Sequence, residues 1–199
     1  MATTISIGLV QLCSGKRINE NLEKAERLME TAVQRGAQVI ALPENFSMMG
    51  KADEKLAAAE APLTGPSSKF LQAFARKHGV WVVGGSIPLE AKNPGKVSNT
   101  CLVYDPAGEL IARYDKMHLF RLDYDAENTF DESRYIEPGK ELVTFELLGV
   151  KMGLSICYDL RFPELYRALG KRGAQVVFVP SAFTVPTGRD HWEVLLRAR

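Results

Sequence analysis

The chain has 199 residues, a formal net charge of +1 at pH 7 and 46% hydrophobic residues. This length and apolar content fit one ordinary domain with a substantial core, so we predict a single domain over residues 1–199. Charges of both signs are interspersed and nearly cancel, which gives no electrostatic reason to bind nucleic acid or an anionic membrane.

Cysteine usage and the N-terminal residues indicate the compartment. The first residues contain no basic segment followed by an apolar core, and no apolar run is long enough to cross a bilayer. Cys13, Cys101 and Cys157 are an odd and widely spaced set that does not suggest a disulfide framework. We therefore expect a cytoplasmic protein.

The first part of the chain predicts alternating strands and helices. A buried strand over residues 5–11 is followed by a helix that Asn19 caps and Gly36 ends, with apolar residues at helical spacing. The next strand leads to Glu44, and a second helix is predicted over about residues 67–77. This alternation is typical of an α/β fold.

The middle of the chain predicts a mixed sheet. Strands are expected over residues 80–86 and 99–104, and a turn at residues 105–108 leads into a return strand that ends at Tyr114, which forms a hairpin. The glycines of Gly84-Gly85 fit no nucleotide-binding pattern and are expected to let a strand pass close to a neighbour.

The sequence also contains an internal repeat. Residues 35–46 (Arg-Gly-Ala-Gln-Val-Ile-Ala-Leu-Pro-Glu-Asn-Phe) return as residues 172–183 (Arg-Gly-Ala-Gln-Val-Val-Phe-Val-Pro-Ser-Ala-Phe). The repeat suggests two similarly built halves that face each other across a cleft, although convergent strand–helix–strand patterns would produce the same similarity. Either origin predicts that Ser181–Phe183 lies near Cys157, as the counterpart of the turn at Glu44.

Three reactive side chains stand at predicted strand ends. Cys157 follows an apolar strand and precedes a helix, where a nucleophile faces the ligand crevice and helix N–H groups can hold an anion. Glu44 follows a strand that ends in a proline, and Lys116 follows the strand through Tyr114. Because a buried structural thiol and a surface lysine are common fates of these residue types, the inference depends on all three together.

With these motifs the chain resembles the nitrilase, or carbon-nitrogen hydrolase, superfamily, whose catalytic triad is Glu-Lys-Cys. The matching positions are Glu44 in Leu-Pro-Glu-Asn, Lys116 in Tyr-Asp-Lys-Met-His-Leu-Phe and Cys157 in Ile-Cys-Tyr-Asp-Leu-Arg-Phe-Pro-Glu. Residues 180–183 also match the family, and residues 191–199 resemble its branch that contains the deaminated glutathione amidases and omega-amidases. The resemblance covers essentially the whole chain.

The resemblance implies an α-β-β-α sandwich with mixed sheets that pairs with a second subunit as a homodimer. Asp190 and Glu193 form a capping-box pattern that predicts the start of a helix, yet the chain stops at Arg199 without a glycine or proline stop signal. We therefore expect the domain to be C-terminally incomplete. A noncatalytic interaction module or an inactive fragment is the alternative of another class.

The resemblance also implies roles for the site residues. Glu44 acts as the base, while Lys116 and the backbone N–H of Tyr158 stabilise the oxyanion. The position that matches a second glutamate is Glu132, with Glu127 nearby as an open alternative. No cofactor is expected.

No metal is expected either. The three histidines and three cysteines form no pairs at ligand spacing. His118 is interpreted as a core residue without a chemical role.

The substrate is the least constrained part of the sequence-based hypothesis. Arg161 either binds a substrate carboxylate or pairs with Glu164 or Asp159. Phe183 and Thr184 are expected to line the acyl pocket, on the resemblance and the internal repeat.

The reaction that the resemblance implies is that of a thiol-dependent amidase acting on a small-molecule, non-peptide amide. Deaminated glutathione, cleaved to 2-oxoglutarate and cysteinylglycine, is the first substrate hypothesis. An omega-amidase that releases ammonia from 2-oxoglutaramate is the alternative.

Overall fold

The computed structural model describes residues 4–123 and 129–199, and its two main sheets face each other with helices on their outer faces. The first half of the chain forms β1 (Ile7–Leu9), α1 (Ile18–Gln34), β2 (Val39–Ala41), α2 (Ala52–Ala57), α3 (Pro66–His78), β3 (Trp81–Val83), β4 (Ile87–Glu90), β5 (Val97–Tyr104) and β6 (Leu110–Asp115). The second half forms β7 (Arg121–Asp123), β8 (Thr129–Asp131), a 3₁₀ helix (Glu132–Arg134), β9 (Thr144–Leu147), β10 (Val150–Leu154), a second 3₁₀ helix (Cys157–Arg161), α4 (Pro163–Lys171), β11 (Val176–Phe178) and α5 (Val185–Ala198).

The first sheet is mixed, as predicted. Its order is β1-β2-β3-β5-β4, with β6 also paired to β5. The pairs β1–β2 and β2–β3 are parallel, whereas β5 pairs antiparallel with β3, β4 and β6. The expected hairpin is β5–β6. The strand expected over residues 80–86 is shorter, because the chain turns at Gly84 and continues as β4.

The second sheet contains three strands in the order β11-β10-β9, with β10–β11 parallel and β9–β10 antiparallel. Strand β5 shows how the layers are built, because successive side chains of a strand point to opposite faces. Leu102 and Tyr104 pack against α1 and α3, while Cys101 and Val103 face the second sheet. The core between the sheets includes Phe145, Leu147, Met152, Leu154 and Phe178.

Two helix starts differ from the prediction. Arg17, not Asn19, is the residue before α1, and Asn19 lies within the first turn. Helix α5 begins at Val185, five residues before the expected capping residue Asp190, because the Thr184 side chain accepts from the Thr187 N–H and a proline occupies the first turn. The predicted end of α1 before Gly36, which has a φ of 83°, is confirmed.

The internal repeat corresponds to two parallel strand–helix–strand units. In β1-α1-β2, Ile7 lies opposite Val39, and in β10-α4-β11, Met152 lies opposite Val176. Each unit ends in a strand whose following turn points into the cleft. The two halves therefore present matching turns to one site.

Gly85 is the residue that holds the turn after β2 in place. It has a φ of 55°, and a Cβ built on it would lie 2.1 Å from the carbonyl oxygen of Pro43. The neighbouring Ser86 donates its N–H to that same oxygen, and its hydroxyl accepts the Asn45 N–H at 2.9 Å. The expected close approach of this glycine segment to a neighbouring strand is confirmed, and it fixes the backbone on both sides of Glu44.

Within residues 4–123 and 129–199, no helix combines the length and hydropathy that a membrane span requires.

We expect Gly85→Ala to destabilise the protein more than Gly95→Ala. Both glycines have positive φ, but no atom lies within 4 Å of a Cβ built on Gly95. Gly95→Ala should therefore cost only the backbone strain of about 1 kcal/mol, whereas Gly85→Ala adds a steric conflict of about 1–3 kcal/mol. Urea unfolding of both variants measures the difference, and equal losses would contradict the assigned contact.

Candidate active site

Lys116 is a buried ammonium held between two carboxylates. It follows β6, is 1% exposed, and its Nζ lies 2.8 Å from Glu44 Oε1 and 2.9 Å from Glu132 Oε2. Its backbone is fixed as well, since its N–H donates to Asn99 O and its carbonyl accepts from the Gly139 N–H. Burial disfavours the charged form, but the two carboxylates outweigh it and raise the pKa of Lys116 above its usual value.

Glu44 is held by three donors. Oε1 accepts from Lys116 and from Asn99 Nδ2 at 3.1 Å, while Oε2 accepts from the Ala182 N–H at 3.0 Å. Burial acts to raise the pKa of this carboxyl, but the charge of Lys116 and the hydrogen bonds prevail, and the pKa is lowered from its ordinary value. Glu44 is therefore ionised at neutral pH, in a fixed orientation.

Cys157 is the first residue of the 3₁₀ helix after β10. Its N–H donates to Pro180 O at 2.9 Å, which ties the nucleophile turn to the turn after β11. The residue is half-buried, but its thiol is desolvated, and this burial together with the negative charge of Glu44 raises the thiol pKa well above its ordinary value despite Lys116. The thiol is therefore protonated at neutral pH in the cavity that it shares with the ionised Glu44 carboxylate.

The backbone at Cys157 adopts a left-handed conformation with a φ of 49°. Asn45, next to Glu44, has a φ of 55°. Asparagine tolerates this region, whereas cysteine rarely adopts it, and such backbone strain is concentrated at functional sites. In both turns the backbone is therefore held in a strained conformation that fixes the orientation of a reactive side chain.

All the predicted site residues line one cavity of about 400 Å³. Those residues are Glu44, Lys116, Glu132, Cys157, Tyr158, Arg161, Phe183 and Thr184. Apolar groups cover other parts of the wall, among them Met49, Phe120, Leu122 and Phe130. The structure brings the predicted residues together; their catalytic and binding roles remain predictions.

Glu132 occupies the position beside Lys116 that the resemblance implied for a second glutamate. Its Oε2 also accepts the Phe120 N–H at 2.7 Å, so the carboxylate links Lys116 to the segment after it. The alternative, Glu127, lies outside the described residues.

Arg161 forms part of the cavity wall. Its guanidinium carbon lies 5.6 Å from the Tyr158 ring centre and 5.8 Å from that of Phe183, and Nη2 lies 3.2 Å from His191 Nδ1. The alternative in which Arg161 pairs with Glu164 or Asp159 is wrong. Glu164 pairs with Arg167 at 3.6 Å, and Asp159 has other partners.

Asp159 joins the segment that carries Lys116 to the turn that carries Cys157. It is fully buried, and its Oδ2 accepts from Tyr114 Oη at 2.6 Å and from the Ile156 N–H at 2.8 Å. Its Oδ1 accepts from the N–H and Nδ1 of His118, at 2.9 and 2.7 Å. A carboxylate only accepts, so Nδ1 carries the proton.

His118 is a satisfied structural residue. Its ring also stacks on Phe162, with centroids 3.7 Å apart. It therefore supports the bridge through Asp159, but its side chain is partly exposed and does not belong to the core. Its lack of a chemical role stays a prediction.

Sequence reasoning missed Lys55, Asn99 and the bridging role of Asp159. Asn99 belongs to a polar triplet, Ser98-Asn99-Thr100, inside an otherwise apolar strand, and that pattern was a usable signal. Lys55 lies on a short, charged helix that reads as solvated surface, so no sequence signal indicated its burial. Among the described residues, no three His, Cys, Asp or Glu side chains cluster in a way that could hold a metal ion.

Comparisons with known proteins identify relatives of this chain. The carbon-nitrogen hydrolase family matches residues 6–199. A deaminated glutathione amidase of Synechocystis is 44% identical over 96% of this chain and 71% of its own length. An omega-amidase of Xenopus tropicalis is 41% identical over 97% of this chain and 69% of its own length.

Solved structures show the same fold. A branch 10 nitrilase-superfamily protein of Saccharomyces cerevisiae matches with a TM-score of 0.86 and 32% identity, over 98% of this chain and 70% of that one. A Nesterenkonia amidase matches with a TM-score of 0.83 and 27% identity, over 98% and 73%; its active-site cysteine had undergone Michael addition of acrylamide in a glutamate-to-glutamine variant. The predicted nitrilase-type α-β-β-α fold is confirmed.

We expect Asp159→Asn to reduce both stability and turnover. The substitution replaces one carboxylate oxygen with an NH₂ group, which would face the N–H and O–H groups that now donate to Asp159. This should lower the free energy of unfolding by about 2–4 kcal/mol. Asp190→Asn, at an exposed position, is the control and should change it by less than about 0.5 kcal/mol. Urea denaturation measures both, and similar small effects would show that the Asp159 bridge contributes little.

Proposed function

The chain belongs to the carbon-nitrogen hydrolase family of nitrilase-superfamily amidases, and we propose that it hydrolyses a linear, non-peptide carbon-nitrogen bond through a thioester on Cys157. The observation that carries this proposal is the contact of Lys116 Nζ with both Glu44 and Glu132 in the cavity that Cys157 lines. A base, a fixed cation and a thiol in one desolvated pocket are the groups that acyl transfer to a thiol requires.

The first step is attack of the Cys157 sulfur on the substrate carbonyl carbon. Because the thiol is protonated at rest and Glu44 is ionised, the thiol proton passes to Glu44 as the sulfur–carbon bond forms. The high thiol pKa makes the resting cysteine weakly nucleophilic. Attack is therefore coupled to a substrate that is already positioned beside the base.

Negative charge then develops on the carbonyl oxygen. The Lys116 ammonium and the backbone N–H of Tyr158 are the donors that we assign to it. Lys116 is pre-oriented by its two carboxylates, so little reorganisation accompanies the reaction.

Collapse of the tetrahedral intermediate breaks the carbon-nitrogen bond. Glu44, now protonated, gives its proton to the leaving amine, and a thioester remains on Cys157. Glu44 next takes a proton from water as the water oxygen attacks the thioester carbon, and it returns that proton to the sulfur when the carbon–sulfur bond breaks, which releases the carboxylic acid and restores the thiol. Glu132 acts as a positioning residue, because it touches Lys116 rather than the thiol.

Deaminated glutathione is the substrate that we propose, and the naming of the Synechocystis relative supports it. The products would be 2-oxoglutarate and cysteinylglycine. Arg161 contributes a cation for a substrate carboxylate, while Phe183 and Thr184 shape the acyl pocket. The omega-amidase relatives favour the second candidate, 2-oxoglutaramate, from which ammonia leaves.

We further propose that the chain forms one domain and that the protein is a cytoplasmic homodimer. Helix α5 supports the pairing, because its side chains are not buried and it exposes Val185, Val194 and Leu196. Size-exclusion chromatography with light scattering measures the oligomeric state directly.

Hydrolysis of deaminated glutathione and of 2-oxoglutaramate tests the proposed function. We expect the parent chain to act on at least one, Cys157→Ser to lose at least about 10³-fold in kcat, and Glu44→Gln to lose about 10²–10⁴-fold. Cys13→Ser, which alters an exposed thiol outside the cavity, is the control and should keep the parent rate. Residual turnover near the parent level in Cys157→Ser would remove Cys157 from the nucleophile role.

The pH dependence of kcat/KM tests the protonation states. Glu44 must be ionised and has a lowered pKa, so activity should fall only below the ordinary glutamate value of about 4.3. Lys116 has a raised pKa and stays charged, and the thiol stays protonated. We therefore expect a flat profile from about pH 6 to 9. A rise centred near the ordinary thiol pKa of about 8.5 would instead indicate attack by a free thiolate.

A further inference from the structure

Lys55 is a second buried cation in the cavity, and the reaction described above does not use it. It lies on α2, is 4% exposed and contributes to the same wall as Glu44 and Lys116. Charged lysines are almost never this buried unless they are paired. We therefore expect an anionic group to pair with the Lys55 ammonium.

The pairing that the structure provides for Lys55 is weak. Its Nζ donates to Asn45 Oδ1 at 3.2 Å, which is a neutral acceptor, and no ion pair joins it to any residue in the described part of the chain. An ammonium has three donors, so two remain for a ligand. Lys116, by contrast, already contacts two carboxylates. Both lysines are buried, but only the charge of Lys55 is not already paired with a carboxylate.

The charges of the cavity favour an anionic ligand at Lys55. Glu44 and Glu132 are both engaged by Lys116, which leaves Lys55 and Arg161 as the cations with capacity for a substrate. Burial lowers the pKa of Lys55 even though the two glutamates act to raise it. A carboxylate beside this ammonium would offset its desolvation and form a strong charge-assisted hydrogen bond.

We propose that Lys55 binds the carboxylate at the far end of the acyl group, so that the enzyme selects omega-amides of dicarboxylic acids. The proposal rests on the proposed amidase function and adds its specificity element. Lys55 fits the acyl group better than the leaving group, because it is buried and donates to Asn45, the residue next to Glu44. Arg161, which is half-buried and lies on the other half of the chain, remains for a carboxylate of the leaving group.

A purely structural role for Lys55 makes a different prediction. Lys55 donates to the side chain of Asn45, which directly follows Glu44 and has a left-handed backbone conformation. If that were its only role, a substitution would displace Glu44 and slow every amide alike. Substrate recognition instead changes the preference between amides with and without a carboxylate.

Two amides of equal chain length separate these roles. Glutaramate carries a carboxylate at the end of its acyl chain, whereas pentanamide carries a methyl group there. For the parent chain and for Lys55→Met, the ratio of kcat/KM for glutaramate to that for pentanamide is measured. We expect Lys55→Met to lower the ratio by about 10- to 100-fold, and an unchanged ratio would overturn the proposal.

Matched variants control for charge and for folding. Lys55→Arg keeps the cation and should recover part of the ratio, while Lys69→Met removes an exposed lysine outside the cavity and should leave the ratio unchanged. Circular dichroism and the melting temperature report folding. If Lys55→Met does not fold, Lys55→Gln, whose amide still donates to Asn45, provides the same comparison.

A binding measurement keeps this inference separate from the proposed function. In the Cys157→Ser background, calorimetry with glutarate should show affinity at least about tenfold weaker when Lys55→Met is added. Absence of hydrolysis by the parent chain would contradict the amidase function. The two glutarate affinities could still be compared, because binding requires no turnover. Equal glutarate affinity with and without Lys55 would overturn the carboxylate site.

Discussion

The site depends on one interaction, the contact of the buried Lys116 ammonium with Glu44 on one side and Glu132 on the other. Each of these side chains is at most 5% exposed, so none can rely on water for its charge. Buried charges are tolerated when they are paired and hydrogen-bonded, and loss of one partner leaves the others uncompensated. The same arrangement that stabilises the three charges also keeps Glu44 ionised and Lys116 protonated, which are the states that the proposed chemistry uses.

The fold supplies this arrangement by repeating one unit. The strand–helix–strand units β1-α1-β2 and β10-α4-β11 present two turns to the same cleft, and the Ala182 N–H from the second turn binds the Glu44 carboxylate from the first. Asp159 then couples the segment around Lys116 to the turn around Cys157 through four hydrogen bonds. The reactive groups are thus held by hydrogen bonds between separate parts of the chain, with a rigid sheet behind each turn.

The main features of the site could be predicted because they are local. Glu44, Lys116 and Cys157 each follow an apolar strand within a distinctive motif, and the structure brings all three to one cavity. Lys55 could not be predicted, since a lysine on a charged helix reveals nothing about the fold that buries it. The predicted start of α5 was wrong, because Asp190 and Glu193 match a capping-box pattern but lie inside a helix that Thr184 caps. Contacts between distant segments thus decided the burial of Lys55, whereas a local cap decided the start of α5.

In the proposed reaction, a thioester on Cys157 is common to every substrate with the same acyl group. Deaminated glutathione and 2-oxoglutaramate would both leave the 2-oxoglutaryl group on the sulfur. Added hydroxylamine would compete with water for that thioester and give a hydroxamate, whereas water gives the free acid. The measurement is the hydroxamate-to-acid ratio from each substrate at one hydroxylamine concentration. A shared thioester predicts the same ratio from both substrates, because the intermediate has lost its leaving group before hydroxylamine or water attacks it. Turnover without hydroxamate, or a ratio that differs between the substrates, would contradict it.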